Sequence, residues 1–419
     1  MRTNAETRAE PCVWVISEVF APDETATAHY MTGIAERLAT SMPVRVLCVQ
    51  PTYTRRGTRA PWEEIRNGVR IRRCWSTTLD KNKIVARLLN IVTIAGSIAF
   101  TALRRIRRGD LALVVTNPPV LPLLIQIACL LKGAQCVVRI DDIYSEMMVA
   151  SGMLSKSSLR YRFMVTCSRW LYRKAGAIVV LGRDMQELVV QRAALPSGKV
   201  TVIPNWSDNR EVQPSSRETN PLLQELGLSG KFVVQCAGNL GRVQAIETLV
   251  EAAAKLKEHP RIHFLFIGAG TKKGWIERQK QERGLDNITV LSPRPRNEQS
   301  IFLNACDIAT TALTNGMWGA AVPSRLYNIL AAAKPVLVVG DPRSEAALVV
   351  QENRIGWVAS PGQVDHVAGA ILAASQDPQR LREMGQTARK LAETKYDCAS
   401  ILQEYVEFTR KRMNLERKD

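Results

Sequence analysis

Residues 231–256 read KFVVQCAGNLGRVQAIETLVEAAAKL: a β-branched apolar run (231–238), a glycine-bearing turn, and then helical spacing of apolar residues over 243–258. Strand, tight turn and helix form the opening unit of a Rossmann-like domain. Downstream the alternation continues through IHFLFIG (262–268), NITVL (287–291), DIATTAL (307–313), a helix from Ser324 and KPVLVV (334–339). Upstream it runs through CVWVIS (12–17), VRVLCV (44–49), VRIRRC (69–74), LALVVT (111–116), CVVRI (136–140), AIVVL (177–181) and KVTVIP (199–204). Tyr30, Met31, Ile34, Ala35 and Leu38 there share one helix face. Between the two series, WSDNREVQPSSRETNP (206–221) is polar, carries two prolines and reads as a linker. The fold class is therefore α/β, with two facing Rossmann-like domains, 11–208 and 222–377, and C-terminal helices over 378–419 that pack across both. Such a pair leaves a cleft at the carboxyl ends of its strands, where open α/β sheets bind ligands.

The chain has 419 residues, and 57 Lys and Arg against 39 Asp and Glu leave a net charge of +18. Its 46% hydrophobic content suits full globular cores and excludes disordered, collagenous and coiled-coil classes. Nine cysteines, an odd number without CxxC pairing, point to a reducing cytosol and no structural zinc. Residues 1–10 carry no apolar core of a secretory signal, so a cytoplasmic location is expected. The charge raises nucleic acid as a partner. Against it, no binding module is recognisable, and the arginines cluster beside apolar sequence rather than among stacking aromatics. LLNIVTIAGSIAFTAL (88–103) lies between Arg87 and Arg104, Arg105, Arg107 and Arg108. It is short of the roughly 20 residues of a membrane span. It reads either as a buried Rossmann helix or as a helix lying in an anionic lipid surface. The expectation is peripheral attachment through 84–108 at the cytoplasmic face of the inner membrane.

Two segments can hold an anion. In the turn after 231–238, Gly238, Asn239 and Gly241 let the backbone approach a ligand, and Arg242, with Gln244 beyond it, adds polar contacts to phosphate. In AVPSRLYNIL (321–330), Ser324 is a natural N-cap, and the helix start at Pro323, Ser324, Arg325 and Leu326 offers a diphosphate site. Arg325 opposes the helix dipole, which calls for an anionic ligand or an acidic neighbour. Asn328, one turn on, can bond ribose hydroxyls. In the first domain Asp141 and Asp142 follow a strand directly, with Glu146 four residues later. They can orient an acceptor hydroxyl, or one can cap a helix. His29, after EVFAPDETAT (18–27), reads as a surface residue or as part of an acceptor site. No HExxH, CxxC or DxD is present, so no metal site is expected.

The stretches FAPDETATAHYMTGIAERLA (20–39), DDIYSE (141–146), AIVVLGRDM (177–185), KVTVIPNWSD (199–208), AGNLGRVQAIETLVEAA (237–253), VPSRLYNILAAAKPVL (322–337) and ENRIGWV (352–358) follow in order along nearly the whole chain. In this the chain resembles family 4 glycosyltransferases of the GT-B fold, of the type that builds lipopolysaccharide, capsule and exopolysaccharide. The resemblance implies sugar transfer from a nucleotide diphosphate sugar, with retention of configuration and without metal or other cofactor. The donor would sit in the second domain. A polyprenyl-diphosphate-linked glycan acceptor would sit in the first, with Asp142 and secondarily Glu146 positioning its hydroxyl and Arg242 supporting the leaving diphosphate. Two glutamates of the family fall here on Ala320 and Asn328, its phosphate-binding Arg and Lys on Asn239 and Gln244, and its first glycine-rich loop on DETATA. Alternative readings are a sugar-nucleotide epimerase on the same fold, or a basic nucleic-acid or membrane-binding protein without catalysis.

Overall fold

The computed structural model describes residues 10–52, 58–79 and 83–414. The first sheet contains β1 (Val13–Ile16), β2 (Val44–Val49), β3 (Glu63–Arg66), β4 (Val69–Cys74), β5 (Leu111–Val115), β6 (Gln135–Ile140), β7 (Ala177–Val180) and β8 (Val200–Val202). Their order is β3-β4-β2-β1-β5-β6-β7-β8, parallel throughout except for the β3–β4 edge pair. Every residue of β1, β5 and β7 is buried. Both faces of this sheet are covered, which is why these strands read as unbroken apolar runs rather than alternating ones.

The second sheet contains β9 (Phe232–Asn239), β10 (Ile262–Ala269), β11 (Ile288–Leu291), β12 (Ile308–Ala312), β13 (Val336–Val339) and β14 (Gly356–Ala359), in the order β11-β10-β9-β12-β13-β14. Counted from β9 this is the doubly wound order 3-2-1-4-5-6, whose ligand crevice opens where the sheet reverses its growth, between β9 and β12. In the first sheet the reversal falls between β1 and β5. The two crevices confront each other: Asp142, just past β6, forms a β-bridge with Ala321, and the Ile143 amide donates to the Ala320 carbonyl at 2.8 Å.

The polar stretch 206–221 is not a free linker. Trp206 is buried against Gly33, Val212 is buried, and the Ser207 hydroxyl donates to the Tyr327 carbonyl at 2.9 Å. Two apolar side chains in a polar run give no period, yet each anchors the crossing to a lobe. The chain then returns. Helix Pro378–Thr394 packs on helix Arg325–Ala331 of the second lobe, and helix Cys398–Arg412 packs on helix Ala26–Ala39 of the first. From that last helix the Tyr405 hydroxyl meets the fully buried Arg139 guanidinium, which also donates to Asp141 at 2.8 Å and Asn205 at 2.7 Å. A buried cation is tolerable because every direction around it is bonded.

Helix Ile84–Arg105 is long and apolar enough to cross a bilayer, but it merges the two readings made from sequence. Asn90, Ile94, Ile98 and Ala102 are buried in the first lobe, while Leu88, Leu89, Val92 and Phe100 face outward. The adjoining helices Leu121–Lys132 and Leu159–Lys174 extend that outer face with Leu131, Leu159 and Phe163, each at least 70% exposed. Arg104, Arg105, Lys132, Arg160 and Arg162 stand exposed on the same three helices. The cysteines form no disulfide, and seven of the nine are buried.

Candidate active site

The second lobe's side of the cleft is built on glycine. β9 and β10 run parallel to their ends, with Gly238 beside Gly268. A Cβ on Gly268 would stand 1.8 Å from the Gly238 carbonyl oxygen, and one on Gly270 would stand 2.3 Å from Leu240 backbone. Only glycine permits two turns to close on each other in this way. Lys272, which follows them, is held by Glu247 at 2.7 Å beside the same loop. The Gly268-Ala269-Gly270 signal, with its lysine, was present in the sequence but not read.

Arg325 is the cation nearest the end of β9. Its Nη2 donates to the Gln244 side-chain oxygen at 3.0 Å and reaches the Asn239 carbonyl at 3.5 Å, and the guanidinium lies over Gly238 where a Cβ would sit 3.2 Å from Cζ. Asn239 and Gln244, the positions where the resemblance places cations, thus supply acceptors that aim one cation brought in from another element. Arg325 forms no ion pair among the described residues, so no acidic neighbour explains its place. Arg242, on the same loop, is exposed and makes no hydrogen bond or ion pair among them. Ser324 departs from expectation: it has helical dihedrals (φ −61°, ψ −25°) and makes no side-chain capping bond. The helix has only seven residues, and its Leu326 amide turns back onto the Pro323 carbonyl at 3.1 Å. The positive character of this corner comes mainly from Arg325. Asn328 is buried, and its side-chain oxygen accepts from the Asp208 amide at 3.1 Å. Ala320, fully buried, has its carbonyl spent on Ile143.

Across the seam, Asp142 is partly exposed, and its carboxyl has no bonded partner among the described residues. Burial, and secondarily the Asp141 carboxylate, push its pKa up to about 7. Glu146 requires correction. It is buried and paired with Arg192, and it accepts from the Tyr161 hydroxyl at 2.9 Å. The helix begins only at Tyr144, so Asp142 stays at the strand end while Glu146 lies in the first helical turn, turned to Arg192. His29 is likewise no free surface residue. Its Nε2 lies 3.2 Å from Asp208 and 3.1 Å from Arg296, and Arg296 also pairs with Asp208. Burial raises the Asp208 pKa, but bonding to His29 and the charges of His29 and Arg296 hold it below the ordinary carboxylate value. Arg296, which no local sequence signal marks, thus reaches from the second lobe to helix Ala26–Ala39 of the first. Ala26 and Tyr30 on one side and Gly238, Arg296, Ser324, Arg325 and Asn328 on the other enclose a pocket of about 160 Å³.

Two doubly wound lobes meeting at their strand ends define the GT-B class of architecture. Residues 25–206 match the glycosyl transferase 4-like domain, and residues 221–391 match the glycosyl transferases group 1 model. The chain is 32% identical over 317 residues to the probable glycosyltransferase WbjE of Pseudomonas aeruginosa, covering 76% of this chain and 78% of that one. It is 23% identical to WcaI of Escherichia coli, a putative colanic acid biosynthesis glycosyl transferase, over 92% and 97% of the two chains. The solved structure of Anabaena HepE in complex with UDP and glucose shares the fold, with a TM-score of 0.73 at 16% identity over 96% of this chain and all of that one. The chain belongs to the group 1 glycosyl transferases and is a glycosyltransferase.

Proposed function

We propose that the protein moves a sugar from a nucleotide diphosphate sugar to a polyprenyl-diphosphate-linked glycan during cell-surface polysaccharide synthesis, with retention of configuration and without a metal ion, at the cytoplasmic face of the inner membrane. The observation that carries the reading is Arg325, a cation without an anion, held by neutral acceptors over a strand end cleared by glycine. As the anomeric C–O bond breaks, negative charge gathers on the leaving diphosphate, and a preoriented guanidinium stabilises it more than it stabilises the bound donor. Asp142 stands on the acceptor side to position the attacking hydroxyl. The binding of UDP and glucose by HepE supports the donor class, and the colanic acid role in the name of WcaI supports the polysaccharide setting. Retention rests on the family resemblance. Metal independence also rests on the family resemblance, with Arg325 as the group that would meet the diphosphate charge.

The closed pocket is smaller than the roughly 300 Å³ at which ordinary small-molecule sites begin. Donor entry therefore separates the lobes at the Arg296–Asp208 seam, and closure re-forms it. A panel of nucleoside diphosphates in a thermal-shift assay tests the donor reading. One base is expected to stabilise by about 2.7 kcal/mol at a hundred times its Kd, and no stabilisation by any of them would overturn it. Product analysis by NMR, with and without EDTA, reads the anomeric configuration and the metal requirement.

The lipid-linked acceptor accounts for the apolar outer face of the first lobe, where leucines and two phenylalanines stand among arginines in the pattern of an interfacial surface. Because one face of helix Ile84–Arg105 is buried in its own domain, attachment is to the membrane surface and not across it. Full-length protein is expected to co-sediment with vesicles rich in anionic lipid, and high salt should weaken the association. The double variant L159E/F163E should lose most of it while keeping its melting temperature; undiminished binding would remove this face from the account.

A further inference from the structure

A second pocket, of about 400 Å³, lies at the opposite end of the donor lobe, beneath the amino-terminal ends of β9, β10, β12 and β13. Eight residues of β9 at about 3.3 Å each separate it by roughly 25 Å from the strand ends that face the cleft. Arg217, Lys231, Arg261, Lys334 and Arg382 line it, against the single carboxylate of Asp307. That carboxylate is already committed, to Arg217 at 3.3 Å and to the Val233 amide at 2.7 Å. The remaining cations have only neutral partners or none. Lys231 donates to the Pro260 carbonyl and Arg382 to the Gln379 side chain, while the Arg261 and Lys334 side chains have no hydrogen bond or ion pair among the described residues. Arg217 also keeps its Nε buried without a partner.

Cations gathered in a concavity repel one another, and a buried N–H left unbonded is destabilising. An anion seated among them relieves both. The volume falls within the roughly 300–1,000 Å³ of small-molecule sites and far exceeds a single ion. We propose that this pocket is a second ligand site of the protein, separate from the cleft, for a phosphorylated small molecule of about sugar-phosphate size, its phosphate held by Arg217, Arg261 and Lys334.

Isothermal titration of the full chain with pyrophosphate at low salt tests the site. Wild-type protein is expected to show two classes of binding, one lost in R325A and the other persisting there. R261E/K334E, altered at side chains that make no hydrogen bond or ion pair among the described residues, should weaken the second class at least tenfold and keep the first, with R261Q/K334Q in between. A charge-matched control elsewhere on the lobe, K257E/R278E, should leave both classes in place. The proposal is overturned if R261E/K334E titrates like wild type, if wild type shows only the class lost in R325A, or if the control weakens binding as much, since diffuse charge then explains it.

Discussion

Replacing Arg325 by Ala is expected to lower turnover about 10²–10³-fold, the loss typical of removing one preorganised donor at a developing negative charge. Folding should persist, because its contacts are with the Gln244 side chain and backbone at the end of β9 rather than with a core. R325K keeps the charge but not the planar fork and should recover only part of the rate. R242A, at an exposed and unpartnered position, is expected to cost less than R325A. Steady-state kinetics with nucleoside diphosphate affinity measured alongside decides the matter: a fall in kcat beyond the fall in affinity is the signature of transition-state charge. Wild-type turnover in R325A would dismantle the assignment of the donor corner.

Asp142→Asn should separate activity from stability. The carboxyl titrates near 7 in the folded protein against 3.8 for the ordinary group, so the native state binds the proton more tightly than the unfolded chain. Wild-type stability therefore falls as pH rises from about 4 to 7, and the penalty is complete above 7. The amide removes it. D142N is expected to be more stable than wild type at pH 8 by up to about 4 kcal/mol, from roughly 3 pK units at 1.36 kcal/mol each, and equal to it at pH 4. Urea unfolding at the two pH values measures this. Transfer should fall about 100-fold or more with loss of the hydroxyl-positioning group. The wild-type rate should decline on the acid side with an apparent pKa near 7, a limb that D142N lacks. A variant equally stable at pH 8 and equally active would show that Asp142 is solvated and idle.

The two sheets were legible because parallel strands buried on both faces leave dense β-branched runs, and β1, β5 and β7 are wholly buried. The donor corner was legible in its pieces. Gly238, Gly241 and the 321–330 segment can be picked out by turn chemistry, and the helix-dipole argument against an arginine in a first turn singles out Arg325, which has no acidic neighbour among the described residues. Distance along the chain concealed the rest. Nothing near Arg325 in sequence says that Gln244 and Asn239 aim it, or that Arg296 spans to Asp208 and His29. Glu146 misleads because nothing near it in sequence announces the Arg192 and Tyr161 side chains that occupy it. Trp206 and Val212 were hidden in a polar run whose average says linker while two side chains say anchor.

The Arg139–Tyr405 contact bears on the order in which the molecule can be finished. The first lobe contains a guanidinium whose phenol partner is synthesised only after the whole second lobe, so the first lobe stays incomplete until helix Cys398–Arg412 arrives. An excised fragment ending near residue 208 inherits the defect permanently, and lobe-swapping chimeras should carry residues 398–412 with the amino-terminal half, to which they belong in space.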